Sequence, residues 1–331
     1  MLSNQIATSN IKMKTYQQLW QSLTPLYDAG EAQAIVRTVL DVKYGMTLTD
    51  IICGKVNEIS ADEERKLEEI IIRLQKGEPV QYVLGEADFA GRTFRVEPGV
   101  LIPRPETAEL CQWIEKDMIE KSIVSSGNSP QATDDAKLIL DICTGSGCIA
   151  ITLGLNIPNS EVTGWDISED ALRIAQGNVE MMEAGNVRIE HQDALALPKA
   201  AETDNEKMKG NDDKEVVKPK GEAKTPSTQE WDLIVSNPPY ICEKEKADME
   251  KNVLEHEPSL ALFVPDEDPL KFYRAIAEYA SSALKSGGAL YFEINPIYEK
   301  ETRKMLLKLD FKDIETKEDA FGKKRMMRAM K

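Results

Sequence analysis

Ser236-Asn237-Pro238-Pro239-Tyr240 is the stretch of the chain best equipped for chemistry. The Asn237 carboxamide carries a C=O acceptor and an NH2 donor. Two consecutive prolines have no N–H to give and fix φ in an extended path, so the Pro238 C=O is expected to stay out of any ladder. Asn237 Oδ1 and the Pro238 C=O then form a fork of two acceptors that can hold a planar NH2 group by both hydrogens. Tyr240 adds a flat apolar wall with a polar tip. This arrangement suits an enzyme that must orient a weakly nucleophilic amide or amino nitrogen. The plainer alternative is a proline-rich turn after a strand.

A second set of chemical groups lies upstream. Asp141, Asp166 and Asp193 fall at or near strand ends, and Cys143-Thr144-Gly145-Ser146-Gly147 makes a glycine turn between a strand and a helix. Gly145, Gly147 and Ala150 fit G-x-G-x-x-G/A, and Asp166 follows at about the 20-residue spacing of a dinucleotide site. An NAD enzyme is therefore a rival on spacing alone, though no hydride-transfer group accompanies it. Asp141 points elsewhere, because a carboxylate just ahead of the turn repels a pyrophosphate. It suits a cationic ligand, such as an amino-acid ammonium beside a sulfonium. Asp166 would then hold ribose hydroxyls and Asp193 an adenine amino group. That is the arrangement expected for S-adenosylmethionine.

These groups need a sheet to hold them. Trp231 to Val235 is short, apolar and β-branched, and it reads as a buried parallel strand that stops at Asn237. Leu138 to Ile142, Val162 to Asp166 and Val187 to His191 are three further strands, with helices from Cys148 and over Glu169 to Gly185. Such alternation predicts a doubly wound α/β fold, whose ligands lie at the carboxyl ends of the strands. A helix over Pro269 to Lys285 is expected to stop at Gly287-Gly288. A fifth strand over Ala289 to Ile294 and a helix over Ile297 to Leu309 follow. Phe311 to Ile314 and Met326 to Met330 close the sheet around a Phe321-Gly322-Lys323-Lys324-Arg325 turn.

Ahead of this domain, residues 1–13 read as a loose tail and 14–84 as a small helical bundle. Tyr16, Leu19, Trp20 and Leu23 fall at helical spacing, as do Ala34, Ile35, Val39 and Leu40. Ser60 and Glu63 form a capping box ahead of Leu67, Ile70, Ile71 and Leu74. Residues 85–103 are predicted as a β-hairpin linker around Gly91-Arg92. Arg104 and Glu106 then lie beside prolines on a rigid segment, either a plain linker or the rim of a cleft. Residues 122–136 read as a loop. Residues 199–230 are almost devoid of apolar side chains and are expected to be a disordered insertion in the 104–331 domain.

Composition narrows the classes. A chain of 331 residues allows about two domains. A net charge of −16 argues against a large phosphate-binding face and so against direct nucleic-acid binding. Five cysteines without a CxxC pair, and two histidines, argue against a zinc site or a disulfide framework. His191 and His256 have no nucleophile partner and read as structural. No stretch is long and apolar enough to span a membrane, and the first 14 residues lack a signal-peptide core. A cytoplasmic protein without bound metal is expected.

Taken together, these residues resemble the protein-(glutamine-N5) methyltransferases of class I peptide chain release factors, the PrmC/HemK family. The pieces that carry the resemblance are Leu101-Ile102-Pro103-Arg104-Pro105-Glu106-Thr107, Asp141 to Gly147, Asp166, Asn237-Pro238-Pro239-Tyr240 and Glu257-Pro258. Asn-Pro-Pro-Tyr alone is shared with DNA adenine and some RNA guanine N-methyltransferases, the alternative function. The Pro-Arg-Pro-Glu-Thr segment with a helical N-terminal domain is far more specific. The resemblance implies a class I S-adenosylmethionine-dependent methyltransferase fold, Rossmann-like, with a mostly parallel seven-stranded sheet and a small helical domain that recognises the release factor. It implies an enzyme acting on the glutamine of a Gly-Gly-Gln loop, and a monomer is expected. By position, Asp141, Cys143, Thr144, Gly145, Ser146, Gly147, Asp166, Asp193, Ala194 and Asn237 would line the cofactor. Asn237, Pro238, Pro239, Tyr240 and Arg104 would grip the substrate. Three positions depart from the family. Cys143 stands where glycine is usual, Ala194 where some members carry an aromatic residue, and Asn295-Pro296 where a glycine is typical.

Overall fold

The computed structural model describes residues 14–125, 136–197 and 230–331. The expected tail at 1–13 and all of the expected insertion except Glu230 lie outside the described residues. The chain divides into two compact units. One takes the chain up to Glu86 together with Glu250–His256, and the other takes Ala87–Met249 with Glu257–Lys331.

The first unit is helical: α1 (Tyr16–Gln21), α2 (Ala29–Tyr44), α3 (Leu48–Ile52), α4 (Ala61–Leu74) and α5 (Val80–Leu84). Each of the first four starts at a side chain that can accept from the free N–H groups of the first turn. Thr15, Asp28, Thr47 and Ser60 do so, and Thr15, Thr47 and Ser60 complete capping boxes with Gln18, Asp50 and Glu63. Leu19, Leu23, Val36, Leu40, Leu67 and Ile71 are buried in its core. The stripe of α2 differs from the expected one in two of its four residues. Ala32 and Val36 are buried and Ala34 is exposed, because Ala32, Val36, Val39 and Leu40 share one helical face.

The second unit opens with a hairpin of β1 (Glu86–Phe89) and β2 (Arg92–Arg95). Helix α6 (Pro105–Ser125) precedes an alternation of β3 (Lys137–Ile142), α7 (Cys148–Asn156), β4 (Ser160–Asp166), α8 (Glu169–Met181), β5 (Val187–His191) and β6 (Trp231–Ser236). Next come β7 (Ile241–Cys242), α9 (Lys251–His256, which belongs to the helical unit), α10 (Ser259–Leu262) and β8 (Phe263–Val264). The chain ends with α11 (Lys271–Ala283), β9 (Leu284–Glu293), α12 (Glu299–Lys308), β10 (Lys312–Glu318) and β11 (Lys324–Met330). Among the described residues one sheet has seven strands, ordered β10-β11-β9-β6-β3-β4-β5. β5, β4, β3, β6 and β9 run parallel, and β11 and β10 join antiparallel.

Both faces of this sheet are covered, as a parallel sheet requires. Period-two alternation sends Ile139, Leu233 and Val235 to one core, with Trp113, Ile149 and Val179 of the helices. Leu140, Ile142, Ile234 and Phe292 go to the other, with Ile276 of α11 and Leu306 of α12.

Several expected boundaries are corrected. Gly287-Gly288 does not stop a helix. α11 ends at Ala283 and β9 already starts at Leu284, so the glycines lie within the strand. The pairing with β6 jumps from Trp231↔Leu284 to Leu233↔Ala289, and the extra residues form a bulge. Gly287 has φ +77°, and a Cβ on Gly288 would meet the Lys285 carbonyl at 2.9 Å. The segment after Tyr240, expected only as polar chain, holds the small β7–β8 sheet and α10. α6 runs through Ser125, into the stretch expected as loop, and 126–135 lie outside the described residues.

Candidate active site

The parallel strands β3 and β6 end side by side, with Ile142 opposite Ser236. The Ser236 hydroxyl donates to the Ile142 carbonyl at 2.5 Å, tying the two ends together. Strand order reverses here, since β4 and β5 extend one way and β9 the other. This is the switch point where open α/β sheets place ligands. The glycine turn leaves β3 and the Asn-Pro-Pro-Tyr segment leaves β6 at this same edge.

The turn needs positive φ at three positions: Cys143 (+64°), Gly145 (+56°) and Gly147 (+79°). Cys143 thus adopts the left-handed conformation that a glycine takes without a Cβ penalty. The Thr144 N–H donates to the Trp165 carbonyl and the Gly145 N–H to Asp166 Oδ2, both at 2.9 Å. Asn178 of α8, fully buried, donates to the Ser146 carbonyl at 2.9 Å and exchanges two bonds with the Arg95 backbone. The loop is therefore fixed from β4 and from α8.

A cleft of about 740 Å3, counting space open to solvent, lies against this turn. Cys143, Gly145, Asp166, Asp193, Ala194, Asn237 and Pro239 line it. Thr144, Ser146 and Gly147 stand behind the lining and shape the turn. Burial pushes the Asp166 carboxyl up, while the Ser168 and Gly145 N–H groups pull it back.

Asp141 departs from its expected place. It is fully buried and does not line the cleft. Its Oδ2 accepts from the Thr144 hydroxyl at 2.6 Å and from the Ala150 N–H at 3.2 Å, and its Oδ1 is buried without a partner. Burial raises its pKa to about 7. The carboxylate braces the turn onto α7, one layer behind the ligand space.

Arg104 also differs from a free substrate contact. Its guanidinium pairs with Glu257, a buried carboxylate that also accepts from the Ile102 N–H at 3.2 Å. The pair pins the proline segment and brings Gly99, Val100 and Leu101 onto the cleft wall. Pro258, Leu260, Ala261 and Phe272 complete an apolar side that no sequence pattern marked, apart from the Glu257-Pro258 pair.

Asn237 lines the cleft, and its Nδ2 donates to Thr107 Oγ1 at 3.3 Å. Oδ1 is then the acceptor the side chain has to offer. Among the described residues no backbone N–H donates to the Pro238 carbonyl. Tyr240 turns its hydroxyl inward, donating to Glu293 Oε1 at 3.0 Å and accepting from Arg325 Nη1 at 3.3 Å. Asn295 holds the Tyr240 carbonyl with Nδ2 at 3.1 Å, a use for a side chain at a position where the resemblance leads one to expect glycine. Glu293 itself was not legible as a site residue.

Comparison with known proteins decides the family. Residues 24–85 match the family described as PrmC N-terminal domain, and residues 133–293 that described as Methyltransferase domain. The chain is 44% identical over 309 residues to the release factor glutamine methyltransferase of Bacteroides thetaiotaomicron, covering 93% of this chain and 96% of that one. It belongs to the release factor glutamine methyltransferases. The enzyme of Flavobacterium psychrophilum is 36% identical over 317 residues, covering 96% and 98% of the two chains. The hMettl16 catalytic domain, solved with an RNA hairpin, superposes with a TM-score of 0.50 at 13% identity, over 77% of this chain and 80% of that one. This last likeness concerns the fold.

S-adenosylmethionine is the methyl donor of this methyltransferase domain, and the cleft fits it. The residues lining the cleft include two acids, Asp166 and Asp193, and no Lys or Arg. That donor set repels a pyrophosphate and accepts a ligand that carries positive charge. The apolar side suits a planar base. Among the described residues no helix is long and apolar enough to cross a membrane.

Proposed function

We propose that this chain transfers the methyl group of S-adenosylmethionine to the side-chain amide nitrogen, N5, of the glutamine in the Gly-Gly-Gln motif of class I peptide chain release factors. The observation that carries the reading is the Asn237 carboxamide, held on the cleft wall by Thr107 with Oδ1 as its acceptor. Family membership supplies the substrate class.

Bound S-adenosylmethionine supplies an electrophilic methyl group. Asp166 would hold the ribose hydroxyls and Asp193 the adenine amino group, with Cys143, Gly145 and Ala194 against the cofactor. Thr144, Ser146, Gly147 and Asp141 would keep the turn in shape behind it. The substrate nitrogen is weakly nucleophilic, because its lone pair is delocalised into the carbonyl. Asn237 Oδ1 and the Pro238 carbonyl accept its two N–H bonds and aim the lone pair along the line of transfer. Such positioning is worth several kcal/mol of the barrier. As the N–C bond forms and the donor's C–S bond breaks, positive charge grows on the nitrogen, the same two oxygens stabilise it, and the surplus N–H proton is given up to water. Pro239 and Tyr240 give the flat wall beside the amide. Arg104 acts through Glu257 by fixing the segment that borders the cleft.

In this reading the helical unit recognises the release factor, and the enzyme is a cytoplasmic monomer that does not bind nucleic acid directly, in keeping with its net charge of −16. Incubation with labelled S-adenosylmethionine and either an unmethylated release factor, duplex DNA or structured RNA tests it. Label in the release factor alone is expected. Label in DNA or RNA, with none in the release factor, would favour an adenine or guanine N-methyltransferase.

A further inference from the structure

A carboxamide has two nearly isosteric ends, and its terminal torsion is broadly two-fold. Turned one way, Asn237 offers an acceptor to the substrate NH2 group. Turned the other way, it opposes donor to donor. Nothing within Asn-Pro-Pro-Tyr breaks this degeneracy.

We propose that Glu293 and Thr107 form a directional hydrogen-bond relay that holds the Asn237 carboxamide with Oδ1 toward the substrate amide, which makes both of them positioning residues for transfer. The inference rests on the glutamine-methylating reading above. A hydroxyl can donate or accept, whereas a carboxylate only accepts. The Thr107 hydroxyl donates to Glu293 Oε2 at 2.6 Å. Only lone pairs then remain on Thr107 Oγ1, and they accept from Asn237 Nδ2 at 3.3 Å. The relay has one direction, from Asn237 N–H to Thr107 to Glu293.

The fold places the three residues together. Ser236 pairs with Phe292 across the parallel β6 and β9, so Asn237, the first residue after β6, comes beside Glu293, the last of β9. Thr107 comes from the first turn of α6. Both oxygens of Glu293 take hydroxyl protons, Oε2 from Thr107 and Oε1 from Tyr240 at 3.0 Å. That pattern suits an ionised carboxylate. Burial disfavours the charge, and Thr107, Tyr240 and then Arg325 oppose that shift, while Glu106 adds to it. The Glu293 carbonyl accepts from the Tyr273 hydroxyl at 3.2 Å, and the Tyr273 hydroxyl oxygen in turn accepts from the Asn295 N–H at 3.1 Å. Thr107 and Glu293 are 3% and 2% exposed, so they act through Asn237 and not on the substrate itself.

The test uses the full-length enzyme with Thr107→Val, Thr107→Ser and Glu293→Gln. Gln is nearly isosteric with Glu and uncharged. Its NH2 end can donate to Thr107 and turn the hydroxyl toward Asn237, which reverses the relay. Thr107→Val and Glu293→Gln are each expected to lower kcat about 10- to 100-fold, the scale of a misaligned reacting group. Affinity for S-adenosylmethionine and KM for the release factor should change by less than about twofold, and Thr107→Ser should restore kcat. A merely structural role would move the melting temperature and leave kcat alone. A kcat within twofold of wild type in a folded Thr107→Val or Glu293→Gln enzyme overturns the relay. The Asn237 side-chain NH2 signals, assigned by comparison with Asn237→Ala, give a readout independent of activity. One of these protons should exchange slowly in the wild type and rapidly in Thr107→Val. Fast exchange in the wild type also overturns the relay. Slow exchange with no release-factor methylation by the wild type would support the relay and contradict the substrate reading alone.

Discussion

The Thr144 hydroxyl donates to Asp141 Oδ2 across 2.6 Å, while the other oxygen of that carboxylate is buried with no partner. A half-satisfied charge beneath the glycine turn is costly to keep. Burial first, and the nearby Asp166 charge to a lesser degree, lift the Asp141 pKa from an ordinary 3.8 to about 7, against the pull of Thr144 and Ala150. Between those values the folded chain holds a proton that the unfolded chain has lost. Stability should therefore fall as pH rises through that window, by up to about 4 kcal/mol. Asp141→Asn should remove this slope and melt higher than the wild type at pH 8. Parallel melting curves of the two proteins from pH 4 to 8 would contradict this assignment.

Gly164 makes room for the same hydroxyl. A Cβ there would lie 2.8 Å from Thr144 Oγ1 and 3.0 Å from Ile189 Cδ1. Gly164→Ala is expected to cost about 1 to 3 kcal/mol through overpacking and to displace Thr144 from Asp141. Urea unfolding and calorimetric titration with S-adenosylmethionine measure the two effects, and both stability and affinity should drop. An unchanged unfolding midpoint would show that Thr144 moves aside freely.

Arg104 and Glu257 should behave as a stability pair. The Glu257 side chain is 1% exposed and that of Arg104 is 34% exposed, so solvent screens one partner only. Arg104→Ala leaves a buried carboxylate without its cation and should cost about 2 to 3 kcal/mol, below the full penalty for a wholly buried pair. Adding Glu257→Gln should recover much of that loss. If Arg104 instead gripped the substrate directly, Arg104→Ala would raise KM for the release factor and leave the unfolding midpoint in place.

Asn237→Ala removes one of the two acceptors of the fork. A kcat about 10²- to 10³-fold lower is expected, the scale of losing one preorganised hydrogen bond at a reacting centre. Affinity for S-adenosylmethionine, read by calorimetry, should stay within a few-fold of wild type. Equal losses in both would mean that Asn237 serves chiefly to bind the cofactor.

The features legible in the sequence are those set by neighbours along the chain. Apolar runs mark β3 and β6, the positive-φ turn shows as Gly145 and Gly147, and the double proline ends the strand at Asn237. The features that were not legible depend on distant pairs. Thr107 and Glu293 lie 186 residues apart, and only the register of β9 beside β6 joins them. Leu260 and Ala261 belong to a four-residue helix too short for any periodic signal. The inward turn of Asp141 depends on Thr144 and Ala150 folding back over it. Gly287-Gly288 read as a helix stop because a bulge and a C-cap call for the same residue type.

In the proposed reaction the fork at Asn237 and Pro238 would orient a glutamine amide for methylation. Peptide mass spectrometry of an unmethylated class I release factor, after incubation with S-adenosylmethionine and either wild-type or Asn237→Ala enzyme, tests it most directly. One added methyl group on the glutamine of Gly-Gly-Gln with the wild type, and none with Asn237→Ala over the same time, is the expected result. Methylation at any other residue, or equal methylation by both enzymes, would contradict it.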